Sequence, residues 1–475
     1  MARVQLFGLG TKSESPAITA QRRINFYVEQ RKEADRTAFA LVGRAGLTAF
    51  LTTLGNYPSR GMWPVNSLAA PLLFTVHNNT LYAINNSGVI ATIGTIGTAV
   101  GDVSMVDDGT NLLLVDGQKG YYYNLLVPAG LIMITDGNFT TSPSTATWQD
   151  TYFIVTSSSG SGQFQLSKNS DPSTWPAVQI NFTGSAPGNI KAGIADHSVL
   201  NLYLDVSTEF WQDTGSPDFP YALIPGSSQE FGLAASASLS KFENSVAGLF
   251  HNKLGSVQVA KMLGFNIQKI STHDIDEIIS AYPIFNDARG YSFKEGGHPF
   301  YVITFPNAGS TFVYDEQMKA WMEFQDTNGG RFWGFKFASF VNRLLVSDYR
   351  NGNIYQIDPS NFTDNGLQFA SEVWSKHIWN DDKYLSIPQI QVDFQTGVGG
   401  PTGPAPQVDL QISKDGGNSF TSVGFASIGS VGQYTQRVIW RRLGRARDWV
   451  LKLRVTDSVK RVITGASAEI VGGTF

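Results

Sequence analysis

Along most of the chain, apolar residues come in short bursts. Each burst is followed by a cluster of Gly, Asn, Asp or Ser, then by a second burst rich in Tyr, Phe or Ile. The pattern is plain in PLLFTVHNNTLYAIN (71–85), TNLLLVDGQKGYYYN (110–124) and DTYFIVTSSSGSGQFQLS (150–167). It returns in HSVLNLYLDVSTEFWQD (197–213), NSVAGLFHNKLGSVQVA (244–260), HPFYVITFPNAGSTFVYD (298–315) and NRLLVSDYRNGNIYQID (342–358). Aromatic and β-branched residues suit a pleated surface, and Gly, Asn and Asp suit tight turns, so each unit predicts a strand, a turn and a second strand. The leading strands start near 72, 112, 152, 199, 246, 300 and 344. Repeats of ~40–50 residues made of a few short strands are the signature of propeller blades, which stack because none can bury both faces alone. The spacing therefore predicts an all-β chain with a β-propeller-like core of about six to eight blades. An irregular β-sandwich is the competing arrangement.

Helical periodicity is scarce. HDIDEIISAYPIF (273–285) predicts one short helix stopped by Pro283, with Thr272 as its N-cap and acids in its first turn. RRINFYVEQ (22–30) mixes helix and strand features. After Asp358 the rhythm changes. A Gly/Pro loop, GVGGPTGPAP (397–406), precedes QVDLQIS, SFTSVGFASI, RVIWRRL and WVLKLRV, which read as a separate antiparallel β unit. The expected organisation is an N-terminal arm at 1–60 joining the core, propeller repeats at 61–360, and a C-terminal β domain at 361–475.

Composition narrows the chemistry. The chain has 475 residues, no cysteine, 42 % hydrophobic and 16 % charged residues. Without cysteine there is no disulfide, thiolate metal site or Cys nucleophile. The N-terminal residues lack an apolar signal core, and no run approaches ~18 uninterrupted apolar residues, so neither secretion nor a membrane span is expected. The six histidines show no ligand spacing, and G-x-S-x-G, P-loop and dinucleotide motifs are missing. No cofactor, no metal and no catalytic residue is expected. THDIDE (272–277) gathers His and acids but fits a capped helix start better than a cation site. SKDGGNSF (413–420) fits an Asp box, a motif of sialidase propellers. A single copy outside the repeats reads as a hairpin staple in which Asp415 accepts backbone N–H groups. Asp107-Asp108 and Asp381-Asp382 sit in turn-like contexts, and nothing marks them as a glycosidase pair.

Charge is distributed unevenly. The net charge is −4, yet 437–461 holds nine Lys or Arg against Asp448 and Asp457. That segment carries +7 and the remainder −11. WVLKLRV alternates, with Trp449, Leu451, Leu453 and Val455 on one face and Val450, Lys452 and Arg454 on the other. Between RVIWRRL and WVLKLRV, the turn 444–448 predicts a hairpin whose tip presents Arg445 and Arg447. The candidate contact residues are Arg437, Arg441, Arg442, Arg445, Arg447, Lys452 and Arg454. They fit an acidic protein partner or a phosphate backbone contacted without base reading, against the plainer alternative of a solvated face.

QRVIWRRLGRARDWVLKLRV (436–455) resembles the C-terminal signature of the packaged-DNA stabilisation proteins of short-tailed phages, also called tail accessory or tail hub proteins. Arg437, Trp440, Arg442, Gly444, Arg445, Arg447 and 452–455 carry the match. QRRINFYVE (21–29) followed by GRAGL (43–47), with Arg44-Ala45 where Pro is commoner, and ISTHDIDEII (270–279) resemble other segments of that family. The resemblance implies a structural, non-enzymatic virion tail protein, assembled in the host cytoplasm, with a propeller core. It would form a homo-hexamer below the portal and its adaptor (head-completion) proteins, close the head after packaging and extend the DNA channel. It would also give tail spikes or fibres a platform and neighbour the needle or plug proteins, with sequence-independent contact to packaged double-stranded DNA and no membrane. Two other classes compete: a propeller glycan hydrolase, sialidase-like or capsule-degrading, and a receptor-binding tail propeller.

Overall fold

The structure is a computed structural model that describes residues 6–8, 10–11, 13, 15–30, 39–160, 162–184, 188–398 and 404–473. Residues 399–403 of the expected Gly/Pro loop lie outside them.

Seven antiparallel sheets follow one another along the chain. Blade one comprises Ser59–Val65, Leu72–His77, Thr80–Asn85 and Ile90–Thr95. Blades two to five start at Ser104, Pro143, Ile190 and Phe231, and the inner strand of blade five is split into Phe231–Leu233 and Ser240–Phe242. Blade six runs from Arg289–Glu295 to Ala320–Glu323, and blade seven begins at Gly334–Phe340. The first strands of most successive blades pack side by side, Phe231–Leu233 of blade five instead meeting Val199–Leu204 and Thr208–Asp213 of blade four, and the first strand of blade seven packs on Ser59–Val65, which closes the ring. The second strands start at 72, 111, 152, 199, 245, 298 and 343, so each expected strand pair is a blade centre. Their side chains, such as Leu73, Phe74, Leu113, Ile154, Leu202 and Val302, are fully buried because both faces of a blade meet neighbours.

The outer strand of blade seven comes from far away. Gly46–Leu51 pairs antiparallel with Ile354–Asp358 and joins the two ends of the propeller through backbone hydrogen bonds. Just upstream, the segment of mixed character resolves into two strands, Arg22–Ile24 and Phe26–Gln30, broken at Asn25, whose φ is 56°. These strands enter a β-sandwich. One of its sheets orders Arg22–Ile24, Ser371–Trp374, Asp448–Val455, Gln407–Ser413 and Thr421–Ser427. The other orders Phe26–Gln30, Phe39–Gly43, Val462–Gly472, Leu385–Phe394 and Val438–Arg441. Phe26, Val392, Leu410, Trp440, Trp449 and Leu453 fill the space between them.

The one α-helix among the described residues is His273–Ser280, shorter than 273–285 but begun as expected. Thr272 Oγ1 accepts from Ile275 N, and Ile275, Ile278 and Ile279 bury against blades five and six.

Arg44 pins propeller and sandwich together. Its side chain is 2 % exposed and donates to both carboxylate oxygens of Asp364 (2.9 and 2.6 Å), to Asn25 Oδ1 and to the carbonyls of Ala45 and Gln325. Its guanidinium lies 3.7 Å from the ring centre of Phe369. It stands two residues before the closing strand. A second tie is His298 of blade six, which bonds Asp315 through Nδ1 (2.8 Å) and Glu29 of the sandwich through Nε2 (2.9 Å).

Candidate functional site

The basic stretch does not form the expected hairpin. Val438–Arg441 pairs with Leu385–Phe394 in one sheet of the sandwich, whereas Asp448–Val455 belongs to the other. The physical reason is the core. Each strand carries a Trp on its apolar face, and two facing sheets bury both, with Trp440 donating to Gly424 O and Trp449 to Leu385 O. The intervening residues cross the ~10 Å between packed sheets. Arg442 (φ 62°) and Gly444 (φ 92°) make the bend, and Arg445–Ala446 briefly rejoins Leu385 and Ser386.

This crossover divides the candidate residues. Val438 and Trp440 point inward, so Ile439 and Arg441 point out. Arg437, Arg441, Arg442, Arg445 and Arg447 are all exposed along one edge of the sandwich and its crossover. Among the described residues, none of the five has a carboxylate within 4 Å. Arg441 Nε donates to Gln389 Oε1 at 3.3 Å, and Arg445 and Arg447 both lie over the ring of Tyr384, at 5.1 and 4.9 Å. The two acids of the stretch are engaged elsewhere. Asp448 bonds His377 (2.8 Å), which also holds Pro16 O, and Asp457 accepts from Gln407 N. Positive charge is thus concentrated on this edge without local neutralisation.

Lys452 and Arg454 stand apart, on the outer face of the opposite sheet. Arg454 lies between Asp409 and Glu372 in the strand register and reaches Glu372 at 3.4 Å. Lys452 is half-buried over Trp374 and Phe420, and burial lowers its pKa. Opposite charges across neighbouring strands stabilise a sheet, so these two have work within the fold. Arg461 is buried over Phe369, donates to Ser371 Oγ, and is pushed down to about 9 by burial. Charge counting missed Tyr384, a lone aromatic ahead of a strand, because nothing local marks it as an arginine platform.

The Asp box is a staple. Asp415 Oδ1 accepts from Asn418 N and Ser419 N, and Ser413 Oγ accepts from Gly417 N. Asp107 and Asp108 likewise hold turn amides, and Asp107 also accepts from Trp63 Nε1.

With the seven blades, the sandwich and the arginine edge described, comparison with known families is decisive. A model for the β-propeller of bacteriophage P22 Gp10 matches residues 9–361, and one for its β-sandwich matches 370–471.

The chain belongs to the bacteriophage P22 Gp10 family.

Members of the Gp10 family are packaged-DNA stabilisation proteins, so this is a structural phage tail protein and a component of the virion. No curated protein matches the chain significantly. Among solved structures, the extracellular domain of a hybrid two-component system from B. thetaiotaomicron aligns at 9 % identity, covering 84 % of this chain and 48 % of that one, with a TM-score of 0.45. The WD40 propeller domain of Doa1 aligns at 10 % identity, 66 % and 97 % coverage and TM-score 0.42. The N-terminal domain of Nup159 aligns at 9 %, 70 % and 98 %, and 0.41.

Proposed function

We propose that this Gp10-family chain closes the phage head mechanically after DNA packaging. In this reading six copies ring the channel below the portal and its adaptor proteins, extend that channel and give spikes or fibres a platform. The arginine edge of the sandwich meets an acidic surface in the assembled connector. The observation that carries the contact is the run of five exposed arginines without a carboxylate, in a chain that is otherwise acidic. Arginine forms bidentate bonds to carboxylates, and complementary charge fixes register and speeds encounter. No chemistry is assigned to the protein itself, since the Asp box and Asp107-Asp108 serve as turn staples.

The test is Arg445→Glu together with Arg447→Glu. Both side chains are exposed, so the melting temperature should hold. Binding to purified portal–adaptor complexes should fall by at least about tenfold, and filled heads should leak DNA. Normal docking and normal retention would sink the proposal. If docking persists but retention becomes salt-dependent, the arginines face the DNA phosphates instead.

A further inference from the structure

Ten tryptophans punctuate the chain, and eight of them donate the indole N–H to an acceptor within the fold. Such a ring folds best with its apolar body buried and its N–H bonded. Trp379 has neither. It is 61 % exposed, the most exposed of the ten, and among the described residues its N–H meets no acceptor. Its placement is nevertheless fixed. Ile378–Trp379 pairs with Asp448 and Trp449, and Ile378 enters the core, so Trp379 faces out. The chain then reverses through Asp381 and Asp382, at φ 43° and 58°. Non-glycine residues hold that left-handed conformation mainly at clamps and active sites. The reversal ends at Tyr384, the platform of Arg445 and Arg447. Lys414 stands at the same end of the sandwich, 5.0 Å from the ring of Trp449. Lys383, Lys414, Arg442, Arg445 and Arg447 are exposed here, against the exposed Asp381 and Asp382.

We infer that Trp379 anchors this end of the sandwich to a protein of the connector. It enters an apolar socket that holds an acceptor for the indole N–H, and the rim carries carboxylates for Arg445 and Arg447. Tryptophan and arginine dominate interface energetics where a central anchor is ringed by polar contacts. The mixed signs select a protein over nucleic acid. Asp381 and Asp382 share the loop with Trp379 and would meet phosphates with like charge, whereas a protein can set Lys or Arg opposite them. A second copy of the chain is the poorer occupant, because a twofold pair would set Arg445 and Arg447 against themselves. The inference rests on the reading that the arginine edge meets an acidic partner in the connector.

The experiment is hydroxyl-radical footprinting of the full chain, read by mass spectrometry. The chain is taken free, docked on purified portal–adaptor complexes, and mixed with a short DNA duplex. Oxidation of Trp379 should fall by at least about fivefold on docking and stay unchanged with DNA. Trp379→Ser should weaken docking by at least about tenfold, Trp379→Phe by less, and Asp381→Asn with Asp382→Asn by about threefold or more. These side chains are exposed and Asn tolerates the left-handed backbone, so all three should melt with the parent. The inference is overturned if Trp379 is oxidised alike free and docked, if DNA alone protects it, or if Ser replaces it without loss of docking. Protection that grows as the free chain dimerises in sedimentation also overturns it, since a second copy then covers the ring. If Trp379→Ser docks normally while Arg445→Glu with Arg447→Glu does not, the anchor is wrong and the arginine contact stands. The reverse result removes the arginine contact and keeps the anchor. A parent chain that fails to dock overturns both.

Discussion

Replacing Arg44 with Met tests how propeller and sandwich are joined. Met keeps much of the stem but removes the guanidinium, and with it the contact on the Phe369 ring. Asp364, whose side chain is fully buried, then loses both of its charge-assisted bonds, while Asn25 Oδ1 and the carbonyl of Gln325 each lose a donor. Removing one partner of a buried pair costs about 3–5 kcal/mol, mostly because the surviving charge is left in a poorly solvating interior. The loss should appear as a melting temperature lower by on the order of 5–10 °C, followed by tryptophan fluorescence. Since Arg44 sits just before Gly46–Leu51, hydrogen exchange should speed first in that strand and in Ile354–Asp358, ahead of the other blades. Adding Asp364→Leu removes the orphaned charge and should restore about 1–3 kcal/mol relative to the sum of the single changes. The reasoning is refuted if Arg44→Met shifts stability by less than about 0.5 kcal/mol, or if the two changes are simply additive.

Three further outcomes are expected. Gly46→Ala should open the ring at the same seam at a cost of about 1–3 kcal/mol, because a Cβ there would lie 2.3 Å from Thr363 O and 2.7 Å from Asn361 O; calorimetry would detect it. Stability should fall as pH rises from about 4.5 through the raised folded pKa of His298. The Asp315 hydrogen bond, reinforced by Glu29, raises the pKa of His298, so its contribution is complete below its ordinary value of 6.5 and is lost as pH rises through the folded value. Burial pushes Glu295 up to about 7 from 4.5, so it lowers stability progressively as pH rises from about 4.5 to about 7 and adds no further loss above that, and melting curves across the combined range should shift down by a few degrees. His298→Gln should flatten part of that profile; an unchanged slope would remove His298 from the account.

The propeller was legible because its unit is local. A strand, a turn such as Asn78-Asn79 and a second strand are adjacent in sequence, and alternation plus turn chemistry marks each one. What periodicity reports is which residues share a face; it does not report which strand lies alongside. Gly46–Leu51 therefore carried no sign of its partner at Ile354–Asp358, nor Phe26–Gln30 of its place in the sandwich. The same limit produced the mistaken hairpin at 444–448, where two alternating strands around a glycine-containing turn fit a hairpin and a crossover equally well. The arginine edge was legible as charge. The separation of Lys452 and Arg454 from it was not, because Glu372 becomes Arg454's neighbour only through strand register.

The remote origin of the closing strand also sets a schedule for synthesis. Gly46–Leu51 leaves the ribosome early, but its partner strand is made about three hundred residues later, roughly 15–60 s at 5–20 residues per second. During that interval the completed blades form an open arc with an unsealed first face, and Phe39–Gly43 waits longer still for Val462–Gly472. A chain terminated before Ile354–Asp358 cannot circularise its propeller, and one terminated before Val462–Gly472 cannot cover Phe39–Gly43, so the two pairings report in turn that translation has passed the propeller and that it has run nearly to its end.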